Sequence, residues 1–354
     1  MAFEVTIQSS GHTFTCAPDQ SILAAGLQAG YMLPYNCRSG SCRICRSRIV
    51  KGEVRYKDMP LDSYLSAADR EQGYVLLCQA LPCSGLLIDA RELLDITSEK
   101  PQVVPGRIVD LTLLAPDVMR MRIRLPMNEN VRYLSGQHLS ILHGEVRREY
   151  SIANACETQG MTELELHIRH VPGGAFTDDL FSGAIKPRAL VRMELPLGTF
   201  FIRENSDRPI LLLATGTGFA PVKAMLESLI AKGMHHTRRI HIYWGARRRR
   251  DLYLEALARK WAQEHGNIRF VPVLSRPTAE CEWTGAVGYV QEHAARDHTD
   301  STKYEIYACG SPAMVRAARQ ALAAPGGADP DNFYADEFLT SAHRLENTVQ
   351  EKQI

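Results

Sequence analysis

Cys37, Cys42 and Cys45 sit in one short loop, and Cys78 follows after the apolar run Tyr74 to Leu77. The pattern is C-x4-C-x2-C with a distant fourth cysteine, the spacing that suits a 2Fe–2S cluster. Two irons bridged by two sulfides need four thiolates. A short loop supplies three of them only if small residues let it wrap the cluster, and Ser39, Gly40 and Ser41 are small. Their amides can point at sulfur. A bound cluster carries electrons one at a time, so the expected chemistry is one-electron transfer. Zinc stays open, because Cys78 and Cys83 form a second close pair. Cys83 also competes as fourth ligand; Cys78 fits better because it closes the apolar run.

The rest of the composition narrows the setting. The chain has 354 residues, 45% apolar and 23% charged, as in an ordinary globular protein of two or three domains. A net charge of +1 gives no reason to expect nucleic acid as a partner. No apolar run approaches the ~20 residues of a membrane span, so no membrane association is expected. The start, Met-Ala-Phe-Glu-Val-Thr, lacks the features of a secretory signal. A cytoplasmic, reducing setting is expected, and disulfides are not. The other five cysteines, Cys16, Cys83, Cys156, Cys281 and Cys309, read as mostly buried free thiols.

Three blocks must position this chemistry. The first runs to about residue 97. Phe3–Gln8 and Thr13–Cys16 alternate as strands about a Gly11-His12 turn, Ser21 caps a helix ended by Gly30, and Arg48–Val54 reads as a strand after the cysteine loop. Residues 98–105 are polar, proline-containing and linker-like. The second block, 106–205, has many short strands at close spacing, a small antiparallel barrel. The third, 206–340, alternates strands and helices from Ile210–Ala214 onward, which means a parallel sheet. A polar tail, 341–354, completes the chain. The expected class is thus multidomain, α+β followed by α/β.

Two motifs lie in the second block. Arg148-Glu149-Tyr150-Ser151 sits in a strand, so Arg148 and Tyr150 share one face and Ser151 takes the other. The strand resembles the R-x-Y-S element of flavin-binding barrels, where a cation, an aromatic wall and a hydroxyl serve the flavin's phosphates, ring and N5; an ordinary half-buried strand reads the same way. His167-Ile168-Arg169-His170-Val171-Pro172-Gly173-Gly174-Ala175-Phe176-Thr177 ends a strand in two glycines and opens a helix, where amides can meet phosphate. Gly173, Gly174 and Thr177 are the candidates there. His167 and His170 lie on opposite sides of their strand and read as structural.

Two more lie in the third block. Gly216-Thr217-Gly218-Phe219-Ala220-Pro221 follows a strand directly. It differs from a Rossmann G-x-G-x-x-G: the third glycine is missing, and Arg247, Arg248, Arg249 and Arg250 stand where an acidic residue would hold a ribose. Arg247 and Arg248 are candidates for a nucleotide phosphate, the alternative being a solvated turn. Cys309-Gly310-Ser311-Pro312-Ala313-Met314 is a second strand-to-helix turn; it resembles the C-G-x-P-x-M turn of the ferredoxin–NADP reductase superfamily, where the thiol lies near a nicotinamide, the alternative being a packing thiol.

Together these elements resemble the single-chain reductase components of bacterial oxygenases. In that resemblance the first block is a β-grasp ferredoxin with Cys78 at the usual place of the fourth ligand. The second is an FAD barrel of the ferredoxin–NADP reductase superfamily, with R-x-Y-S and the pyrophosphate loop. The third is its NAD(P)-binding domain, with G-T-G-x-A-P and C-G-x-P-x-M. The phrases Cys16-Ala17-Pro18, Leu33-Pro34-Tyr35, His167-Ile168-Arg169-His170-Val171-Pro172-Gly173-Gly174 and Trp244-Gly245-Ala246-Arg247 are close to the reductases of Rieske-type aromatic-ring dioxygenases such as terephthalate dioxygenase. Tyr243-Trp244-Gly245 and Gly218-Phe219-Ala220-Pro221-Val222-Lys223 are similar to the reductase serving CDP-6-deoxy-hexulose dehydrase.

The resemblance implies FAD, one 2Fe–2S cluster and NADH or NADPH as donor. It implies Ser151 and Cys309 as catalytic groups, Gly216, Thr217, Gly218 and Gly310 at the nucleotide, and Phe338 over the flavin or in the core. It implies the terminal oxygenase of an aromatic-ring hydroxylating dioxygenase as partner. The alternatives are a deoxysugar dehydrase or a di-iron monooxygenase and, from another class, a non-enzymatic ferredoxin with an appendage. Two departures stand out. Arg43 occupies a position that is glycine in many relatives. Asp336 stands where many have glutamate, and the sequence leaves open whether a carboxylate one methylene shorter reaches Ser151. Arg38, Arg43, Arg46 and Arg48 crowd the cluster loop and are expected to form a basic rim for an acidic partner surface.

Overall fold

The computed structural model describes residues 2–60, 62, 64–94, 99–323, 326–329 and 332–339. The tail at 341–354 lies outside the described residues, as do 95–98, where the first block was expected to end. Two compact units separate, the first running to Gln102, the second from Val103 to Phe338 apart from Pro196–Thr199.

The first unit holds β1 (Phe3–Ile7), β2 (Thr13–Cys16), α1 (Ile22–Ala29), β3 (Arg46–Lys51), β4 (Val54–Tyr56), α2 (Ala67–Glu71), β5 (Tyr74–Leu76), β6 (Ala80–Pro82) and β7 (Leu86–Asp89). Its sheet runs β2-β1-β7-β3-β5, with β4 and β6 paired apart. β1 and β7 are parallel and their neighbours antiparallel, the β-grasp arrangement. Ser21 caps α1 by accepting the Ala24 amide at 3.2 Å, and Gly30 ends it at φ 97°. The strand expected over Arg48–Val54 is two strands. Gly52 breaks it at φ 97°, where a Cβ would come within 2.2 Å of the Gly85 carbonyl. Ile7, Ile22, Leu33, Leu76 and Ile88 form the floor beneath the cysteine loop, each fully buried.

β8 (Gln102–Ala115) leads from the last residue of the first unit into the second, so the expected linker is already strand from Gln102. Then come β9 (Val118–Arg124), β10 (His138–His143), β11 (Val146–Ser151), β12 (Glu163–Arg169), α3 (Ala175–Phe181) and β13 (Leu190–Leu197). The sheet order is β11-β10-β13-β8-β9-β12. Ile152 bridges Leu166, and the Ala153 amide reaches the Glu165 carbonyl at 2.8 Å, so the two outer strands meet and the sheet closes as a barrel.

The remainder holds β14 (Ile210–Thr215), α4 (Phe219–Ala231), β15 (Ile240–Ala246), α5 (Glu255–Glu264), β16 (Ile268–Leu274), β17 (Ala286–Val287), α6 (Val290–Asp297), β18 (Glu305–Gly310), α7 (Pro312–Leu322) and β19 (Phe333–Glu337). All six strands are parallel, in the order β17-β16-β15-β14-β18-β19. β14 is buried along Ile210–Ala214, as an apolar run inside a covered parallel sheet should be. β19 was not legible as a strand, and it carries Asp336.

Candidate functional site

In the first unit the four thiols come as two pairs. Cys42 lies within hydrogen-bonding distance of Cys37, and Cys45 of Cys78. All four are buried. Two irons taking two terminal thiolates each need this arrangement, whereas a structural zinc gathers four ligands on one ion. Among the described residues, no three Cys, His, Asp or Glu side chains are grouped for a single metal ion. Donors already face the sulfurs: the Ser39 amide at 3.4 Å and the Ser41 hydroxyl at 3.7 Å from Cys37, and Gln79 Nε2 at 3.9 Å from Cys78. The Cys42 contact, with help from Ser39, lowers the Cys37 pKa to about 4, against the upward push of burial. Gly40, at φ 81°, leaves room that a Cβ would fill, 2.9 Å from Gln79. These residues fit a 2Fe–2S cluster. Cys83 is exposed and stands outside the set.

Arg43 sits in the left-handed region at φ 62°, as does Arg38 at 51°. A glycine there costs nothing; arginine is strained, which gives the Arg43 departure its physical meaning. The arginine rim is partly neutralised. Asp69 takes both Arg43 (3.2 Å) and Arg46 Nε (3.1 Å), and Asp89 takes Arg48 at 3.4 Å. Arg46 also lies 3.4 Å over the Tyr74 ring and is thus held to its own domain.

In the second unit β11 delivers the flavin motif. Arg148 and Tyr150 are half-buried and Ser151 is buried, on opposite faces as the alternation requires. Tyr150 packs 5.7 Å from Phe176 in the first turn of α3, so the glycine loop and the R-x-Y-S strand are neighbours. Burial pushes the Tyr150 phenol upward, so it stays neutral. Gly173 is left-handed at φ 80° with open space before it, and a Cβ on Gly174 would meet Thr177 Oγ1 at 2.6 Å. The Thr177 hydroxyl is committed to the turn itself: it donates to Val171 O at 2.9 Å and accepts the Val171 amide at 3.3 Å. Asp178 caps the Gly173 amide at 3.0 Å and holds His170 Nε2 at 2.9 Å. Thr177 therefore shapes the loop, and the Gly174 amide is committed to it as well, donating to Val171 O at 2.9 Å.

The two nucleotide turns interlock. Gly216–Gly218 form a tight turn into α4, and a Cβ on Gly218 would fall 2.3 Å from the Cys309 carbonyl. Gly310, at φ 140°, leaves no Cβ space beside Thr215, whose Oγ1 accepts the Ser311 amide at 3.1 Å. Cys309 is fully buried, and burial, with Asp336 adding to it, holds it as a neutral thiol. Asp336 lies opposite Cys309 in the β18–β19 ladder and accepts from Ser151 Oγ at 3.4 Å. The shorter carboxylate does reach the serine, and it joins the two residues marked as catalytic. Phe338 is partly buried against the core of the parallel sheet.

Arg247 and Arg248 are exposed and line a cavity of about 530 Å³ with Arg250, Arg169 and Arg276. Asp117 and Asp251 are its acids, and Asp117 holds Arg169 Nε at 2.8 Å. The sequence reading missed Arg169 and Arg276. Arg276 follows β16, next to β15 in the sheet, and its amide reaches Arg247 O at 3.0 Å. The rule that ligands gather beyond strand carboxyl ends could have found it. The residues present fit a flavin and an anionic nucleotide.

Comparison with known proteins agrees. Residues 5–83 match the 2Fe-2S iron-sulfur cluster binding domain, 105–202 the oxidoreductase FAD-binding domain and 212–320 the oxidoreductase NAD-binding domain. The chain is 37% identical to protein RfbI of Salmonella typhimurium, over 99% of this chain and 100% of that one. It is 36% identical to the CDP-6-deoxy-L-threo-D-glycero-4-hexulose-3-dehydrase reductase of Yersinia pestis, over 96% and 100%. It is 34% identical to reductase component 1 of terephthalate 1,2-dioxygenase from Comamonas sp, over 96% and 98%. The crystal structure of the Amycolatopsis cytochrome P450 reductase GcoB superposes with a TM-score of 0.77 at 28% identity, over 95% of this chain and 98% of that one. No helix among the described residues is long and apolar enough to cross a membrane. The chain belongs to the family of oxidoreductases that join a 2Fe–2S domain to FAD- and NAD-binding domains in one polypeptide and serve as reductase components.

Proposed function

We propose that this reductase supplies electrons from NADH or NADPH to the terminal oxygenase of an aromatic-ring hydroxylating dioxygenase, in the cytoplasm. The observation that carries the reading is the end-to-end match to the terephthalate dioxygenase reductase. Bound FAD accepts a hydride and releases electrons singly, and a bound cluster carries them one by one. The chain's residues arrange this. Arg148 holds the flavin phosphates where the Gly173–Gly174 turn leaves open space, and Tyr150 walls the ring. Ser151, tied to Asp336, fixes a hydroxyl at the flavin edge, and the Cys309 thiol excludes water where the nicotinamide arrives. Cys37, Cys42, Cys45 and Cys78 hold the cluster. The arginine-lined cavity takes the adenosine side of the nucleotide, and both nucleotides are accepted. The proposed domains are 1–97, 106–205 and 206–340, with the second starting earlier than 106 and the 98–105 linker shortened, because β8 begins at Gln102.

A second reading, a reductase for a deoxysugar dehydrase, has a specific support: the 36% identity to the Yersinia protein. Reconstitution separates the two. The purified chain with either nucleotide should drive substrate oxidation by a terephthalate-type oxygenase faster than it drives the 3-dehydrase reaction, and the reverse order would select the second reading. In the same assay Cys42→Ser should abolish delivery to the protein partner and keep ferricyanide reduction. Full delivery without that thiol would overturn the ligand assignment.

A further inference from the structure

Lys223, on the first turns of α4, is buried, and oxygens face its ammonium. Its Nζ donates to the Ala153 carbonyl at 2.9 Å, and pairs with Glu165 Oε1 at 3.2 Å and Glu227 Oε1 at 2.8 Å. An ammonium has three donors, and three oxygens lie within 3.2 Å of this one. Ala153 lies two residues beyond Ser151, where the barrel closes. Glu227 also accepts the Ala155 amide at 3.3 Å.

The contacts continue from Glu165. Its Oε1 meets His167 Nε2 at 2.9 Å, and His167 Nδ1 meets the Tyr253 hydroxyl at 3.1 Å. A carboxylate only accepts, so Nε2 carries the proton; the neutral ring then accepts from Tyr253 at Nδ1. The Tyr253 ring stands edge-on to Trp244 at 5.1 Å, and Trp244 stacks on Phe219 at 3.8 Å. Trp244 Nε1 donates to the Gly216 carbonyl at 3.1 Å. One continuous chain of contacts therefore runs from the end of the flavin strand to the first glycine of the nucleotide turn.

We propose that Lys223 and Tyr253 are positioning residues that set the nucleotide turn Gly216–Gly218 against the flavin strand β11, and so set the hydride-transfer geometry. Lys223 acts through Ala153, and Tyr253 through Trp244 and Gly216. A buried ion cluster is a poor way to gain stability, since apolar residues of equal volume serve as well or better. A polar network has the advantage that its hydrogen bonds fix direction and distance, which packing alone leaves looser. The proposal rests on the assignment of the nucleotide to the Gly216 turn.

The test uses the full-length holoprotein and its variants Lys223→Met, Lys223→Arg and Tyr253→Phe. Flavin content and melting temperature are recorded first. Flavin reduction by NADH and by NADPH is then followed by stopped flow, with the limiting rate separated from nucleotide Kd, together with the long-wavelength absorbance of nicotinamide stacked on flavin. Lys223→Met is expected to lower the limiting rate by about tenfold or more, since a 1 Å misplacement can cost ~100-fold. The long-wavelength absorbance should weaken while Kd stays within about twofold, because the nucleotide's own contacts remain, and Lys223→Arg should recover part of both. Tyr253→Phe keeps the ring, removes only the hydroxyl, and should move the same two signals in the same direction. A folded, flavin-loaded Lys223→Met protein with the wild-type limiting rate and absorbance overturns the proposal. If that variant fails to fold, unchanged signals in Tyr253→Phe overturn it. A wild-type protein whose flavin neither nucleotide reduces would defeat the underlying nucleotide assignment instead, and the proposal with it.

Discussion

Asp336 accepts the Ser151 hydroxyl at 3.4 Å while standing opposite Cys309 in the parallel ladder, so a carboxylate from β19 links a barrel serine to a sheet cysteine. The hydroxyl is thus held in a fixed direction by a buried acceptor. Ser151→Ala and Asp336→Asn should each slow flavin reduction by roughly 10- to 100-fold at saturating nucleotide, at the lower end of what positioned groups contribute. The double variant should be little slower than either, because one interaction is lost in all three. Asp336→Glu should stay active. Stopped-flow flavin bleaching reads all four, and additive losses would mean the two residues act separately.

Arg43 offers a conformational test. A non-glycine residue in the left-handed region costs ~1–2 kcal/mol. Its pair with Asp69 involves a half-exposed guanidinium and is worth ~0–1 kcal/mol. Strain wins, so Arg43→Gly should be as stable as the wild type or slightly more so. Arg43→Ala loses the pair and keeps the strain, and should be about 1 kcal/mol less stable than Arg43→Gly. Urea midpoints of the cluster-loaded proteins decide it; equal midpoints for the two variants would remove the backbone argument.

The arginine-lined cavity should discriminate nucleotides. The 2′-phosphate of NADPH adds negative charge, and hydrogen bonds to ionised groups are about twice as strong as neutral ones. Arg247→Ala and Arg276→Ala should each lower kcat/KM for NADPH about tenfold and for NADH less than threefold, on the scale of one lost charged contact. An unchanged NADPH/NADH ratio in both variants would show that this cavity does not meet the ribose.

Glu165 predicts an acid dependence. Burial would raise its carboxyl, but the His167 hydrogen bond and the Lys223 charge outweigh that and hold it at about 2, against an ordinary 4.5. Between those values the unfolded chain binds the extra proton. The stabilisation is therefore complete above about pH 4.5 and fades as pH falls toward 2, and it amounts to about 3 kcal/mol from the size of the shift. Glu165→Gln should melt below the wild type at pH 7, with the gap closing as pH falls from 5 to 3. A gap constant across that range would mean Glu165 is not the group responsible.

The sequence by itself determined the chemistry that depends on local spacing. C-x4-C-x2-C…C identified the thiols, because a cluster constrains loop length directly, and strand alternation put Arg148 and Tyr150 on one face with Ser151 on the other. Glycines marked turns whose geometry excludes a Cβ, as Gly218 against Cys309 and Gly310 against Thr215 bear out. Tertiary structure alone decided what depends on distance between segments far apart in the chain. Whether Asp336 reaches Ser151 turns on the register of β19, a short strand ending in Asp-Glu that no apolar run announces. That Arg169 and Arg276 join Arg247 follows from strands of different sheets ending at one cavity. That Asp69 offsets part of the arginine rim depends on α2, whose five residues lie beyond the cysteine loop. Composition and periodicity report on one element at a time; contacts between elements are set by how their buried faces pack.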